Sequence, residues 1–319
     1  MSINKILAVR NDRFGEFLLN IPAFRALKLK FPRAKLTLAV NPYVEELARC
    51  IDFVDEVICW ENKAHTVKEI LSYSSRLKKE KFDLCIIFNP SKEFNIISFL
   101  AGIRQRIGYN RKWGFLLTRK IADEKHLGLR HEIDYNLGLS RLAGVDSSNR
   151  ELSLRVDDNL DQGILRGIDP DKAVVIHPWT SDSLKQWPLD NFSTLAQRII
   201  KELKLELIII GGRGEAGQSR EIFRGLNSGF VDLTGKTSLP QLAAILKRAR
   251  LLISGDSGPV HLASCVGTPV LAIFRNDIPG KGPVRWGPKN ANSLIVEKSS
   301  LMDISVEEVF NKVKEVLKI

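Results

Sequence analysis

The feature that most constrains this chain is a rhythm. Short β-branched runs alternate with segments of helical periodicity, and the rhythm is played twice. KILAVR at Lys5–Arg10 precedes a polar loop, NDRFGE, and an amphipathic stretch from Phe17 to Lys30. KLTLAV (Lys35–Val40) follows Pro32, and DLCIIF (Asp83–Phe88) follows a charged helical stretch ending in RLKKEKF. Runs of this kind, separated by helices, are what a parallel sheet covered on both faces requires, because each crossover lays a helix over the sheet.

After Leu152–Asp158 the chain turns polar and loses periodicity through DDNLDQGILRGIDPDK, which marks a linker. The rhythm then restarts with AVVIHP, a helix near Asn191–Lys204, LELIIIGG, a helix near Glu215–Leu226, VDLTG and a helix over Leu239–Ala249. LLISGD, a helix over Val260–Val266 and PVLAIF complete it. At 319 residues the chain is too long for one comfortable core and suits two. The expected division is residues 1–158 and 159–319, two α/β Rossmann-like parallel-sheet domains facing a cleft, with ligands at the carboxyl ends of the strands. Ser305 and Glu308 are spaced as a capping box ahead of an apolar stripe, Val306, Val309, Val313 and Leu317, so the last helix needs a partner surface and is a candidate to pack back on the first domain.

Composition narrows the class. A content of 44% hydrophobic and 27% charged residues is globular and argues against disorder or a fibrous repeat. No run reaches the roughly 18 apolar residues that span a bilayer, and MSINKILAVRND lacks the apolar run of a signal peptide, so a cytoplasmic protein is expected. Cys50, Cys59, Cys85 and Cys265 are scattered, form no CxxC pair and read as small structural hydrophobes, with no metal site. Lys and Arg exceed Asp and Glu by 48 − 37 = 11, a field that favours anionic partners. Basic residues cluster with aromatics in RQRIGYNRKWGFLLTRK (Arg104–Lys120). Without zinc-finger spacing or an RNA-binding aromatic signature, nucleic acid ranks below an anionic lipid, and salt-sensitive peripheral attachment to a membrane surface is expected.

Three loops carry chemistry. Gly255-Asp256-Ser257-Gly258-Pro259-Val260-His261 follows a strand and opens a helix, where backbone amides, a hydroxyl and an imidazole suit a diphosphate as well as a plain tight connection. His177-Pro178-Trp179-Thr180-Ser181-Asp182-Ser183-Leu184-Lys185 follows another strand and offers hydroxyls and a cation to the same kind of ligand, or is a solvated loop. Arg10-Asn11-Asp12-Arg13-Phe14-Gly15-Glu16 offers two carboxylates, suited to acid-base work on a hydroxyl or to helix capping. The absence of GxGxxG after the first strand disfavours a nicotinamide oxidoreductase.

Together these motifs resemble glycosyltransferase family 9, the ADP-heptose:lipopolysaccharide heptosyltransferases. KILAVRNDRFGEFLLNIPAFRALKLKFPRAKLTLAV looks like the family start, DLCIIFNPSKEFNIISFLAGIRQRIGY is similar to its middle segment, HPWTSDSLKQWP to its Lys-x-Trp-Pro loop, and GDSGPVHLASCVGTPVLAIF to its Asp-Ser/Thr-Gly-x-x-His signature. The resemblance implies a GT-B architecture, acceptor bound mainly by the first domain and nucleotide sugar by the second, an inverting single displacement, and no cofactor or metal beyond the ADP-sugar donor substrate. It places the catalytic carboxylate on Glu16, where the family has Asp after Gly, with Asp12 as second candidate. Donor binding falls to Thr180, Ser181, Lys185, Gly212, Asp256, Ser257, Gly258 and His261, and acceptor binding to Asn89, Lys92, Arg106 and Arg111. The chain also departs from the family after PVLAIF, where Arg275-Asn276-Asp277-Ile278-Pro279-Gly280 replaces Gly-Pro-Thr before Arg285-Trp286-Gly287-Pro288. The implied partners are a nucleotide sugar, an anionic glycolipid acceptor and the inner face of the inner membrane. Rival readings are a sugar-nucleotide epimerase or hydrolase of the same architecture, which needs no acceptor, and a non-catalytic carbohydrate-binding relative.

Overall fold

The computed structural model describes residues 2–157, 159–161, 163–165 and 167–319. The chain forms two compact units, Met1–Leu152 and Ser153–Ile319. The division expected after Asp158 falls at a position outside the described residues.

The first unit runs β1 (Lys5–Arg10), α1 (Phe14–Leu18), α2 (Ile21–Lys30), β2 (Lys35–Val40), α3 (Glu45–Ala48), β3 (Glu56–Cys59), α4 (Val67–Glu80), β4 (Leu84–Ile87), α5 (Lys92–Leu100), β5 (Gln105–Tyr109), β6 (Arg119–Ile121) and α6 (Glu132–Arg141). Its sheet has the order β3-β2-β1-β4-β5-β6. Every neighbouring pair is parallel, with Ile6 beside Leu36 on one side and Leu84 on the other. The strand residues that follow Lys5 in β1 and Lys35 in β2 are all buried, as expected of strands covered on both faces.

The single helix expected from Phe17 to Lys30 is two. Pro22 lies in the first turn of α2, where its missing N–H costs nothing; within a continuous helix its ring would collide with the carbonyl of Leu18. Asn20 fills the break by donating to the Glu16 carbonyl (2.8 Å). The basic segment Arg104–Lys120 supplies β5 and most of β6 at one margin of the sheet.

The second unit runs β7 (Ala173–His177), α7 (Leu189–Leu203), β8 (Glu206–Ile209), α8 (Ala216–Ile222), β9 (Phe230–Asp232), α9 (Leu239–Arg248), β10 (Leu251–Gly255), α10 (Gly258–Val266), β11 (Val270–Arg275), α11 (Pro283–Trp286), β12 (Leu294–Lys298) and α12 (Val306–Leu317). Its order, β12-β11-β10-β7-β8-β9, repeats the first scheme, again all parallel. α12 finds its partner surface inside this unit: Val309, Phe310 and Val313 are buried in a core with Trp187, Phe192 and Ile304, and the Trp187 indole donates to the Ile304 carbonyl (2.9 Å).

The polar stretch expected as a linker is anchored to the second unit at several of its described residues. Leu165 and Pro170 are buried, the Leu154 amide donates to the Cys265 carbonyl (3.2 Å), and Arg248 pairs with Asp161 (2.9 Å) and Asp171 (2.8 Å). All four thiols are free; burial pushes that of Cys85 up to about 12. Among the described residues no helix is long and apolar enough to cross a membrane.

Candidate functional site

In each sheet the strand order reverses once, between β1 and β4 in the first unit and between β7 and β10 in the second. Open parallel sheets present ligand-binding groups at the carboxyl ends of the strands flanking such a switch point, where the loops part in opposite directions. The candidate residues can therefore be judged by whether they stand there.

In the first unit the loop leaving β1 does. Arg10, the last residue of β1, is 3% exposed, and two carboxylates and a backbone carbonyl fix it. Its Nε donates to Asp12 Oδ1 (2.7 Å), and its Nη1 to Glu132 Oε1 (3.3 Å) and to the Phe88 carbonyl at the end of β4 (3.3 Å). Lys125 Nζ reaches the same Glu132 oxygen (2.7 Å) and lies 4.5 Å from the centroid of the Tyr109 ring. Burial works against the Arg10 charge, but Asp12, Glu132 and Glu16 outweigh it and raise its proton affinity. Asp12 is thus tied to Arg10. Glu16, in the first turn of α1, is half-buried and makes no ion pair among the described residues. Its carboxyl is pushed above the ordinary value of 4.5, first by burial and then by the Asp12 charge, against the pull of Arg10. The Tyr43 hydroxyl donates to the Asp12 carbonyl (3.2 Å), and burial raises its own ionisation to about 12.

Of the acceptor candidates, Asn89 belongs to this place. Its Nδ2 donates to Asn11 Oδ1 (3.0 Å), and Asn11 Nδ2 to the Trp60 carbonyl (3.3 Å), linking the ends of β4, β1 and β3. Asn89 Oδ1 is buried with no hydrogen-bond partner. Lys92, at the start of α5, lies 4.6 Å from the Trp113 ring centroid, and Arg111 pairs with Asp123 (2.9 Å) in the loop beyond β5. Arg106 stands elsewhere. It opposes Cys85 at the amino end of the sheet, its guanidinium donates to the Leu116 (2.8 Å) and Ile103 carbonyls, and it lies over the Phe99 ring.

In the second unit the loops after β7 and β10 meet through Lys185 Nζ and Asp256 Oδ2, which form an ion pair. Buried Ser254 ties the strand ends: its hydroxyl bonds the His177 carbonyl (3.0 Å), His177 Nδ1 (3.1 Å) and Ser257 Oγ (2.7 Å). Burial lowers the His177 imidazole to about 4, so it is neutral at pH 7. Ser257 occupies the N-cap position of α10 without a side-chain cap bond, its hydroxyl being engaged by Ser254. Within the first turn Pro259 has no N–H and the Val260 amide donates to the Ser257 carbonyl (3.3 Å), so the Gly258 amide and the positive end of the helix dipole are what α10 can offer a ligand. Gly258 opens this helix and His261, buried, lies on it, 6.2 Å from the Trp286 ring centroid.

Thr180 Oγ1 donates to the Asp182 carbonyl (2.8 Å), and Asp182 in turn pairs with Lys281 (2.8 Å). Ser181 is exposed in the same loop. Gly212 stands after β8 beside Glu215, whose buried Oε2 has no partner and would lie 2.7 Å from a Cβ built on the glycine. Sequence reasoning passed over Ser254, Lys281 and Glu215. A lone serine at a strand end and a carboxylate in a charged loop carry no pattern; only the sheet sets Ser254 at the switch point and Glu215 after the neighbouring β8.

Two six-stranded parallel sheets of the same strand order, each with polar and charged groups gathered where that order reverses, are the GT-B fold. Residues 70–313 match the sequence profile of glycosyltransferase family 9 (heptosyltransferase), and the chain belongs to that family. It is 26% identical over 308 residues to a Haemophilus influenzae protein described only as a glycosyltransferase, covering 90% of this chain and 87% of the relative. It is 25% identical over 256 residues to the lipopolysaccharide core heptosyltransferase OpsX of Haemophilus influenzae (77% of this chain, 70% of the relative). The solved E. coli ADP-heptose LPS heptosyltransferase II superposes with a TM-score of 0.84 at 18% identity, over 98% of both chains.

Proposed function

We propose that this chain transfers a heptose, or a closely related sugar, from an ADP-sugar to a hydroxyl of a lipopolysaccharide core acceptor, with inversion, and that Glu16 is the general base. The observation that carries the assignment is the unequal state of the two loop carboxylates: Asp12 is neutralised by Arg10, while Glu16 is unpaired and has raised proton affinity. A base working near neutral pH gains from such a shift.

In the proposed step Glu16 takes the acceptor hydroxyl proton. The oxygen attacks the anomeric carbon as the bond to the diphosphate breaks, and the electron pair leaves on the nucleotide. Lys185 and the amino end of α10, with the Gly258 amide and the helix dipole, supply the positive charge that the departing phosphate needs, so this reading requires no metal. Asp256 repels phosphate; its part is to hold the Lys185 ammonium at the switch point. The named activities of the similar Haemophilus and E. coli proteins support both substrates.

The test is incubation with ADP-heptose and lipid A core fragments, followed by mass spectrometry of the acceptor. One added heptose with stoichiometric ADP is expected. Release of free sugar whether or not acceptor is present would instead establish a hydrolase.

A further inference from the structure

Between Glu93 and Asp123 the chain contains no acidic residue, while it carries Arg104, Arg106, Arg111, Lys112, Arg119 and Lys120. Within this segment the turn after β5 is unusual in its backbone. Lys112 (φ +47) and Trp113 (φ +69) are consecutive non-glycine residues in the left-handed region, a conformation that side chains disfavour and that survives only where surroundings impose it. Here Asn95 of α5 imposes it: buried, it donates through Nδ2 to the carbonyls of Arg111 (3.3 Å) and Lys112 (2.9 Å). Gly114 closes the turn, where an added Cβ would press on the Tyr109 carbonyl at 3.0 Å.

The product of this clamping is display. Trp113 is 48% exposed and Phe115 68%, their rings 5.8 Å apart. On the outer face of the adjoining α5, Phe99 and Leu100 are exposed as well. Large aromatic side chains held outward on a segment rich in cations, with Lys92 4.6 Å from the Trp113 ring centroid and, among the described residues, only Arg111 of the turn paired with an acid (Asp123), match the chemistry of a bilayer interface. Rings settle at headgroup level while Lys and Arg meet anionic lipid. A pocket for a phosphorylated glycan would be concave and would enclose its aromatics, whereas these project.

We infer that the clamped turn Arg111–Leu116, with the outer face of α5, is the surface by which this protein docks on an anionic membrane. The inference deepens the reading of a glycolipid acceptor, since such an acceptor is anchored in a bilayer and the turn lies beyond the carboxyl end of β5, on the sheet edge that carries Glu16.

The experiment uses the full chain and vesicles that contain no acceptor. Co-sedimentation with phosphatidylglycerol-phosphatidylcholine vesicles is expected, with little on phosphatidylcholine alone and release at 1 M salt, where the Debye length is about 3 Å. The Trp113→Ala/Phe115→Ala variant should bind about tenfold or more weakly, because exposed rings contribute by burial in the interface, and Lys112→Glu should weaken binding about fivefold. Thermal melting checks that each variant is folded. A wild type that ignores anionic vesicles, or variants that bind as it does, overturns the inference. So does protection of Trp113 fluorescence by deacylated core oligosaccharide but not by vesicles, which would make the turn a glycan site. Transfer to a deacylated, soluble acceptor is measured in parallel: turnover without vesicle binding refutes the docking surface alone, and vesicle binding without turnover refutes the proposed reaction alone.

Discussion

Asp12, in the loop after β1, and Glu16, in the first turn of α1, lie four residues apart, yet the fold gives them opposite environments. Arg10 takes Asp12 as its partner, and the charge of Asp12 then falls on Glu16 as repulsion. Glu16→Gln keeps the shape and removes the basicity, and should lower turnover roughly a hundredfold to ten-thousandfold. Because folding raises the Glu16 pKa, the folded state bears a cost for the ionised form, present above the folded pKa and absent below the unfolded one. The variant should therefore hold or gain thermal stability at pH 7, and the acid limb of kcat/KM in the wild type should lie above 4.5. Near-normal turnover of Glu16→Gln beside a dead Asp12→Asn would move the base to Asp12. Glu132 tests the other half of the network. Glu132→Gln leaves buried Arg10 and Lys125 short of a carboxylate and should cost about 3 kcal/mol or more in denaturant unfolding. Pairing it with Lys125→Met should recover part of that loss, and no recovery would mean that the two cations are not coupled through Glu132. The two carboxylates were legible in the sequence. Their inequality was not, because Glu132 and the Phe88 carbonyl reach Arg10 only through the fold.

At the scale of elements, each predicted site residue is useful or not according to which end of its strand it occupies. The segment Arg104–Lys120 looks like one basic cluster along the chain. In the sheet, Arg106 lies near the start of β5 and Arg111 in the turn beyond its end. Composition has no direction, so it cannot make that distinction. The turn into α10 was visible as strand, glycine and helix, whereas the engagement of the Ser257 hydroxyl by Ser254 depends on β7 lying beside β10. What remains for a diphosphate is the Gly258 amide at the amino end of α10 and Lys185. Lys185→Ala should weaken ADP binding by about 1 to 3 kcal/mol in calorimetry. Unchanged affinity would mean that the ion pair with Asp256 serves only to join the two loops.

For the whole molecule, the twofold rhythm of the sequence was enough to anticipate two parallel sheets. The fate of the segment between them was harder to read, because its anchors are distant: Arg248 on α9 and the Cys265 carbonyl on α10. Its polar composition suggested a linker, but buried Leu165 and Pro170 make it part of the second unit. The last helix likewise packs on the second core, through Val309, Phe310 and Val313. The second unit therefore holds its own core, both of its capping segments and all eight residues assigned to the donor. If donor binding is a property of this unit, the excised fragment 153–319 should fold and melt cooperatively. ADP at a hundred times its Kd should stabilise the fragment by about 2.7 kcal/mol, while the fragment 1–152 should show no response. A second unit that melts cooperatively but ignores ADP would show that the Lys185 and α10 loops are insufficient alone. The donor would then require groups from the first unit, and the division of labour between the two sheets proposed here would fail.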